Sequence, residues 1–255
     1  MGIKIKSQTE IDLMREAGRI LALTHEEMKK IIKPGISTYD IDKLGEEVIR
    51  SFGCIPSFLN YNGYPASICV SVNDEVVHGI PSKDRILREG DIVSLDAGVI
   101  YKGYHSDSAR TYGVGEISEA SRDLIRVTKE SFFEGLKQCK AGNHINDISK
   151  AVFGHVIVRG YTAVIDLVGH GVGAELHEAP EVPNFPTKRK GPKLRPGMTI
   201  AVEPMINIGN YEVNWKEDGW TVVTADGSRS AHYENTILIT EGEPEILSRA
   251  DGIEL

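Results

Sequence analysis

Five side chains in this sequence combine types and contexts that could bind divalent metal ions. They are four carboxylates and one imidazole, spread over more than half of the chain: Asp96, Asp107, His170, Glu203 and Glu234. Clustered acids are unfavourable alone, because neighbouring carboxylates raise one another's pKa. Two divalent cations would remove that conflict and allow a bridging hydroxide near neutral pH. Oxygen ligands with one imidazole favour manganese, iron or cobalt over a thiolate type of zinc site, and the identity of the ion stays open.

The first two acids lie on either side of a predicted hairpin turn. Asp96 ends an alternating run that begins at Ile92, so alternation places these two residues on one face of a strand. Asp107 follows the turn signal Lys102-Gly103, and the two acids are roughly symmetric about that turn. We therefore predict that both carboxylates meet on one face of a hairpin.

The other three candidates also have specific surroundings. His170 lies in a run with three glycines, 169–173, which lets backbone pass close to a small group. Glu203 ends a β-rich run that Pro204 stops, and Glu234 comes just before an apolar strand-like segment. Each acid alone would more often be a surface carboxylate or a turn cap, whereas the five together favour a metal centre.

Five further histidines are interpreted as hydrogen-bonded structural groups, because a single histidine on a strand usually has that role. They are His25, His105, His144, His155 and His232. The glycine run contains no G-x-G-x-x-G, and no P-loop spacing occurs in the chain, so a nucleotide cradle is not expected.

An internal repeat organises the chain. The stretch 33–41 aligns with 140–148, and Gly53 then falls on Gly160 at the same offset. Each copy joins two helical patterns, which predict helices at about 7–33 and 38–52 and at about 118–139 and 145–159, the first with a Ser7/Glu10 capping box. Hairpin-rich segments follow each pair, with turn signals at Lys102-Gly103, Asp218-Gly219 and Asp226-Gly227. Two related helix-helix-sheet halves predict an α+β architecture.

Composition indicates a cytoplasmic protein. The chain has 255 residues and three cysteines without C-x-x-C spacing, which fits a reducing compartment. Its charged N-terminus is unlike a secretory signal, and no apolar run approaches the length of a membrane span. We expect a monomer that makes no membrane contact.

The formal net charge of −8 argues against general nucleic-acid binding. One stretch, 188–195, is strongly basic although the chain as a whole is acidic. We interpret it as a solvated loop, because it lacks interleaved aromatic residues. The alternative is a weak contact with an anionic surface such as the ribosome, through Lys188, Arg189, Lys190, Lys193 and Arg195.

Taken in this order, the motifs resemble methionine aminopeptidases of type I over nearly the whole chain. The resemblance implies a pita-bread fold in one catalytic domain, 1–255, with halves of about 1–117 and 118–255. It implies that the five candidates hold two divalent ions (cobalt, manganese, iron or zinc), with Asp107 and Glu234 bridging them and Glu203 as proton shuttle. It also implies that His78 and His177 orient the substrate amide and stabilise the tetrahedral intermediate.

The resemblance further implies a pocket for a methionine side chain, whose thioether contacts aromatic rings favourably. Its lining would be Tyr61, Tyr64, Cys69, His78, Leu176, His177 and Trp220. Alternatively, the apolar members are ordinary core residues. Phe58 stands where many relatives carry cysteine and Leu176 where many carry phenylalanine, so the apolar character is kept while the pocket size is open.

The function predicted is removal of initiator methionine from new proteins when the second residue is small, by attack of a hydroxide held between two metals on the peptide carbonyl. The chain begins Met1-Gly2, so its own Met1 is a predicted substrate unless residues 3–5 dock first. The alternatives are an Xaa-Pro aminopeptidase or prolidase, a metal-free creatinase-like hydrolase, and a non-catalytic pita-bread binding module.

Overall fold

The computed structural model describes residues 2–255, so Met1 lies outside the described residues. Its helices occur in two pairs: α1 Gln8–Lys30, α2 Thr38–Ser51, α3 Glu119–Leu136 and α4 Ile145–Ile157. All four predicted helices are confirmed, with ends that differ from the predicted ones by a few residues. Within 2–255, no helix is both long enough and apolar enough to cross a membrane.

Polar caps begin the first three helices. The Ser7 hydroxyl accepts from the Glu10 backbone N–H, and the Glu10 carboxylate accepts from the Ser7 N–H at 2.7 Å, which confirms the predicted capping box. Ser37 and Asp40 form the same arrangement at α2, and Ser118 caps α3. These contacts satisfy N–H groups that have no partner inside a helix.

The strands form four sheets. The first half contributes β1 Ile55–Pro56, β2 Ile68–Val72, β3 Glu75–Val77, β4 Ile92–Tyr101 and β5 Tyr104–Gly113, with a 3₁₀ turn at Tyr61–Gly63. The second half contributes β6 Thr162–Ala163, β7 Gly169–Gly171, β8 Glu178–Val182, β9 Thr199–Val202, β10 Met205–Asn207, β11 Val213–Trp215, β12 Val222–Thr224, β13 Ser230–His232, β14 Asn235–Leu238 and β15 Glu245–Ile246. Mixed helices and sheets in this order confirm the α+β prediction.

Each half has its own main sheet. In the first half, β4 pairs with β1, β2 and β5, and in the second the order is β15-β14-β9-β7-β8. β10 lies between β13 and β6, and β3 crosses to join the β11–β12 hairpin of the second half. The turns at Lys102-Gly103 and Asp218-Gly219 close hairpins as predicted. The Asp226-Gly227 turn does not, because β12 pairs with β3 whereas β13 pairs with β10.

Helix α1 packs across β4 and β5. Its buried stripe includes Ile11, Met14, Leu21 and Met28, as the helical spacing predicts. Gly18 lies on the same stripe where the helix meets the C-terminal segment, and a Cβ at this position would overlap the Leu247 carbonyl. The close approach of α1 therefore depends on a missing side chain.

Backbone pairing joins the two halves at the centre of the molecule. The Glu234 N–H donates to the Ala109 carbonyl at 3.0 Å, and the Ala109 N–H donates back to the Glu234 carbonyl at 3.4 Å. Beside this pair, the Thr236 hydroxyl accepts from the Asp107 N–H and donates to the Asp107 carbonyl, both at 2.9 Å. These bonds fix β5 of the first half against the start of β14.

Candidate metal centre and adjoining pocket

The two acids of the first half lie on one face of the β4–β5 hairpin. In the observed register Asp96 is opposite Ala109, and Asp107 is opposite Gly98. The carboxylates therefore share a face but are diagonal neighbours, offset by two residues from the symmetric placement that we predicted. Diagonal placement leaves room between the two carboxylates. Gly98, which is opposite Asp107, has no side chain to fill that room.

Three elements of the second half bring the other candidates to the same place. His170 is the middle residue of β7, Glu203 follows β9 directly, and Glu234 lies between β13 and β14. His170 Nε2 is 3.6 Å from Glu203 Oε1 and 3.9 Å from Asp107 Oδ2. One ligand atom each from Asp107, His170 and Glu234 lies within 4.8 Å of the others. All five predicted ligands line one cavity.

The glycines around His170 are required by the packing of strands. A Cβ on Gly169 would overlap the Ala201 carbonyl, and a Cβ on Gly171 would overlap the Ala179 carbonyl. The close approach that the glycine run predicted is therefore an approach of neighbouring backbone, which places β7 between β8 and β9.

The proton position on His170 makes this ring a good ligand. Burial lowers its pKa to about 3, so the imidazole is neutral at pH 7. Nδ1–H donates to the Gly171 carbonyl at 2.9 Å, which leaves the lone pair on Nε2. Nε2 faces Asp107 and Glu203, and a hydrogen bond from the other ring nitrogen is the usual way in which a metal-binding histidine is oriented.

The four carboxyl groups of the cluster have raised pKa values, so each needs a bound proton or a nearby cation. Burial raises the pKa of Asp96 to about 7. Burial also raises the pKa of Asp107, Glu203 and Glu234 well above the usual carboxyl range, and the charge of Asp96 raises all three further. This electrostatic conflict is the one that bound divalent cations remove.

Orphaned oxygen atoms point to the same conclusion. Asp96 Oδ1, Asp107 Oδ1 and Glu234 Oε1 are buried and have no hydrogen-bond partner among the described residues. Buried polar atoms without partners are rare unless an ion or water satisfies them. The donor set, its neutral imidazole and its unsatisfied oxygens therefore fit divalent metal.

The cavity that the five ligands line has a volume of about 240 Å³, and most of its remaining wall is apolar. Every side chain that the resemblance implied for the substrate pocket lines it: Tyr61, Tyr64, Cys69, His78, Leu176, His177 and Trp220, together with Phe58. Tyr64 packs edge-on against Trp220, with ring centroids 5.2 Å apart. The sequence reading missed five further lining residues: Asn62, Val77, Leu167, Val168 and Met205. Three of them are close in sequence to predicted site residues: Asn62 follows Tyr61, Val77 precedes His78, and Met205 follows Glu203-Pro204.

His78 lies at the cavity wall with a strained backbone. Its φ of 58° is in the left-handed region, which non-glycine residues rarely adopt. The next residue is held on three sides, because the Gly79 carbonyl accepts from Val70 N–H and from the Tyr64 hydroxyl, and its N–H donates to Ser71. Burial lowers the pKa of His78 to about 4, so the ring is neutral at pH 7.

His177 lies across the cavity from the acids of the first half. Its Nδ1 is 2.8 Å from the Tyr61 hydroxyl, and its ring centroid is 4.1 Å from that of His170. Burial lowers the pKa of His177 as well. Two neutral imidazoles thus border the space beside the ligand cluster.

Of the histidines interpreted as structural, His232 contradicts the prediction. Neither ring nitrogen has a hydrogen-bond partner among the described residues, and Nε2 is 3.9 Å from Glu203 Oε2. The prediction holds for His25, His105 and His155, whose rings bond to the Ser108 carbonyl, Ser57 and Glu130. His144 precedes α4, and its backbone N–H donates to Asp147.

The basic stretch is a loop on the surface before β9. Its five cationic side chains are exposed: Lys188, Arg189, Lys190, Lys193 and Arg195. The loop is nonetheless anchored, because the carbonyls of Lys190 and Pro192 accept from the first N–H groups of α4. The exposed loop agrees with the prediction of a solvated loop, and its cationic side chains face solvent although its backbone is fixed.

Comparisons with known proteins agree with this site. Residues 12–241 match the model of metallopeptidase family M24. The chain belongs to this family, whose metallopeptidase chemistry accounts for the cluster of ligands. Methionine aminopeptidase of Clostridium acetobutylicum is 52% identical over 246 residues, which cover 96% of this chain and 98% of that protein. Methionine aminopeptidase 1 of Bacillus subtilis is 52% identical over 244 residues, covering 96% and 98%. Within family M24, the chain therefore groups with the methionine aminopeptidases.

Solved structures place the fold in the same group. A methionine aminopeptidase from Thermotoga maritima superposes with a TM-score of 0.95 at 46% identity, covering 97% of this chain and 100% of that chain. An Xaa-Pro dipeptidase from Bacillus anthracis gives 0.79 at 27% identity, and the match covers 96% of this chain but only 62% of that chain. The predicted pita-bread fold is confirmed, and the proline-specific alternative is the poorer match.

Proposed function

We propose that this chain removes the N-terminal methionine of polypeptides whose second residue is small. The observation that carries the proposal is the apolar, aromatic-lined cavity that opens directly onto the acid cluster. A flexible thioether suits such a lining, because sulfur gains about 0.3–1.5 kcal/mol from each favourable contact with an aromatic ring. Relatives named methionine aminopeptidase support the same activity.

The five residues that line the cavity together would hold two divalent ions: Asp96, Asp107, His170, Glu203 and Glu234. Ions bound there would supply Lewis acidity toward the peptide carbonyl and lower the pKa of water. The ligand atoms leave the choice among cobalt, manganese, iron and zinc to affinity and supply.

Glu203 is assigned the proton transfer. It follows β9 and borders the cavity, which suits a group that takes a proton from the attacking water and returns it to the leaving amine. His232 lies beside it and is assigned no role in the transfer.

His78 and His177 are assigned to the substrate. Both rings are neutral, so each has one N–H to donate. With the Tyr61 hydroxyl donating to Nδ1 of His177, the His177 proton is on Nε2 and is free to bond the substrate amide or the oxygen on which negative charge develops. Preorganised donors of this kind contribute about 10²–10³ in rate.

Substrate choice is assigned to the cavity wall. Its residues Phe58 and Leu176 stand where many relatives carry cysteine and phenylalanine. Both are at most 8% exposed and pack in one cluster with Tyr64 and Cys69. The pocket keeps its apolar character, and the pair sets its length.

Several expectations about the setting belong to the same proposal. The chain acts as one catalytic domain, 1–255, supported by the hydrogen bonds between Ala109 and Glu234 that join its halves. We also propose that it acts in the cytoplasm, supported by three free, buried cysteines, and that it acts as a monomer. The basic loop at 188–195 makes a weak contact with the ribosome, supported by its exposed charges.

One assay tests the proposal. The protein is stripped of metal, reloaded in turn with Mn²⁺, Fe²⁺, Co²⁺ or Zn²⁺, and offered Met-Gly-Met and an Xaa-Pro dipeptide. We expect metal-dependent release of methionine and little hydrolysis of the Xaa-Pro bond. Faster cleavage of the Xaa-Pro dipeptide would favour a prolidase, and no cleavage of either peptide with any metal would favour a binding module.

A further inference from the structure

A buried ion pair lies outside the catalytic roles assigned above. Residues 3–6, here called the N-terminal strap, precede α1 and carry Lys6. The Lys6 ammonium donates to Glu178 Oε2 at 2.6 Å, and each side chain is only 4% exposed. Burying two charges is costly, and losing one partner leaves the other uncompensated, so a buried pair of this kind demands an explanation.

The strap is held along its length. Ile3 packs against the hydrophobic core of the second half, and the Lys6 N–H donates to the Gly197 carbonyl at 2.8 Å. Gly173 provides the slot through which the Lys6 side chain reaches inward, because a Cβ at position 173 would lie 2.5 Å from Lys6 Cε. Lys6 is therefore placed by contacts on its backbone and on its aliphatic stem.

Glu178 connects this pair to the catalytic cavity. It is the first residue of β8 and follows His177 directly. His177 lines the cavity, whereas Glu178 is not among the lining residues and its carboxylate is bonded to Lys6. Glu178 Oε1 also accepts from the Glu175 N–H at 3.3 Å, which closes the turn before His177.

Because the Glu178 carboxylate is bonded to Lys6 and to the Glu175 N–H, the backbone next to His177 is restricted in its rotation. The only hydrogen bond that the described residues give the His177 ring is the one to Tyr61. One bond leaves the ring free to swing about it unless the backbone is fixed. We propose that Lys6 is a positioning residue, which acts through Glu178 to orient the His177 imidazole toward the substrate. The proposal rests on the substrate role assigned to His177 above.

Lys4 offers a matched control. Its ammonium contacts the same carboxylate, at 3.3 Å from Glu178 Oε1, but its side chain is 49% exposed. Lys6→Met and Lys4→Met remove the same charge from the same strap. We expect kcat to fall about 10- to 100-fold in Lys6→Met and to change less than about twofold in Lys4→Met, since small errors of placement cost this much. Metal content and KM should stay near the wild-type values in both.

A second variant covers the case in which Lys6→Met folds poorly because Glu178 is left unpaired. Lys6→Met combined with Glu178→Gln removes both charges and restores neutrality. We expect it to melt close to the wild type and still to show the reduced kcat. A wild-type kcat in this folded double variant would overturn the proposal.

A double-mutant cycle separates positioning from general structure. In a His177→Ala background, Lys6→Met should lower kcat by less than about twofold further, because the group on which it acts is gone. A further tenfold loss in that background would show that Lys6 acts elsewhere.

A spectroscopic measurement stands apart from activity. The ¹⁵N resonances of the His177 ring should shift or broaden in Lys6→Met but not in Lys4→Met, whichever peptide the enzyme cleaves. Unchanged His177 signals in Lys6→Met overturn the positioning role. Failure of the wild type to release methionine, with the His177 signals shifted as expected, would instead count against the proposed function alone.

Discussion

At the scale of single residues, the candidate metal centre is marked by buried ligand atoms that have no hydrogen-bond partner in the described part of the chain. Three carboxylate oxygens have no hydrogen-bond partner among residues 2–255, and the His170 lone pair faces two acids. The local contexts of the ligands were readable from sequence because each lies beside a turn, a proline or a glycine run. The sequence does not show that the His232 ring lacks hydrogen-bond partners among the described residues, because those partners would come from strands that are distant in the chain.

Asp107 is the most sensitive single position that the arrangement predicts. Asp107→Ala should lower kcat/KM more than about 100-fold and reduce bound metal, because a carboxylate is lost from the cluster that we propose holds the cations. Activity on Met-Gly-Met and metal content by mass spectrometry measure both effects. Asp84→Ala removes an exposed acid and serves as the control. Retention of more than a tenth of kcat/KM, a loss under about 1.4 kcal/mol, would contradict the two-metal assignment.

At the scale of elements, helices were predicted well and sheet register less well. Polar caps and apolar stripes are local signals. The first three helices have polar caps, and all four helices begin and end within a few residues of the predicted bounds. The register that offsets Asp96 from Asp107 and the sheet change between β12 and β13 depend on pairing with other segments. The pocket lining at Leu167 and Val168 reads in sequence as ordinary core, because a cavity wall and a packed core use the same side chains.

Two helical glycines give a matched test of packing between elements. Gly18→Ala places a methyl group against the Leu247 carbonyl, so we expect a loss of stability of about 1–3 kcal/mol, as for other overpacked sites. Gly154→Ala on α4 meets nothing within 4 Å and should stabilise the protein by up to about 1 kcal/mol through helix propensity. Urea unfolding of both variants measures the difference. Equal effects would mean that α1 can shift away from the C-terminal segment without cost.

At the scale of the whole molecule, buried ionisable groups link stability to pH and to metal. Lowered histidine pKa values, such as those of His78 and His170, make the folded state bind fewer protons than the unfolded state below about pH 6.5, so stability rises with pH there. Raised carboxyl pKa values act in the opposite direction. The folded state holds protons that the unfolded state has released, so this stability is present at low pH and is lost as pH rises through the folded pKa.

Metal-free protein should therefore be most stable near pH 6.5 and should lose stability between about pH 6.5 and 8. The folded histidines are neutral throughout that window and the unfolded ones lose their remaining protons across it. The raised carboxyls therefore increasingly set the slope toward pH 8, at about 1.4 kcal/mol per pH unit for each extra proton that the folded state holds. Metal-loaded protein should show a flat or much weaker slope, because cations replace the protons. Denaturant unfolding at several pH values compares the two forms. A parallel decline in both would mean that metal does not bind at these carboxyls.

The state of the chain's own Met1, which lies outside the described residues, depends on the docking of the strap. A free peptide beginning Met-Gly-Ile-Lys should be cleaved, because glycine offers no side chain to clash beyond the scissile bond. Folded Asp107→Ala protein that retains Met1 should be cleaved far more slowly by active enzyme, because residues from Ile3 to Lys6 are held against the body. Intact mass follows both reactions. Resistance of the free peptide, while Met-Ala peptides are cleaved, would contradict the small-second-residue rule.

The pairing of Ala109 with Glu234 has a consequence for the order in which the protein is made. A ribosome synthesises Asp96 and Asp107 before it reaches His170, Glu203 and Glu234. Every nascent chain that ends before Glu234 is therefore missing at least one of the four acids, and the backbone of Ala109 does not yet have its partner. The ligand cluster therefore cannot be completed until the second half has been synthesised and has paired with β5.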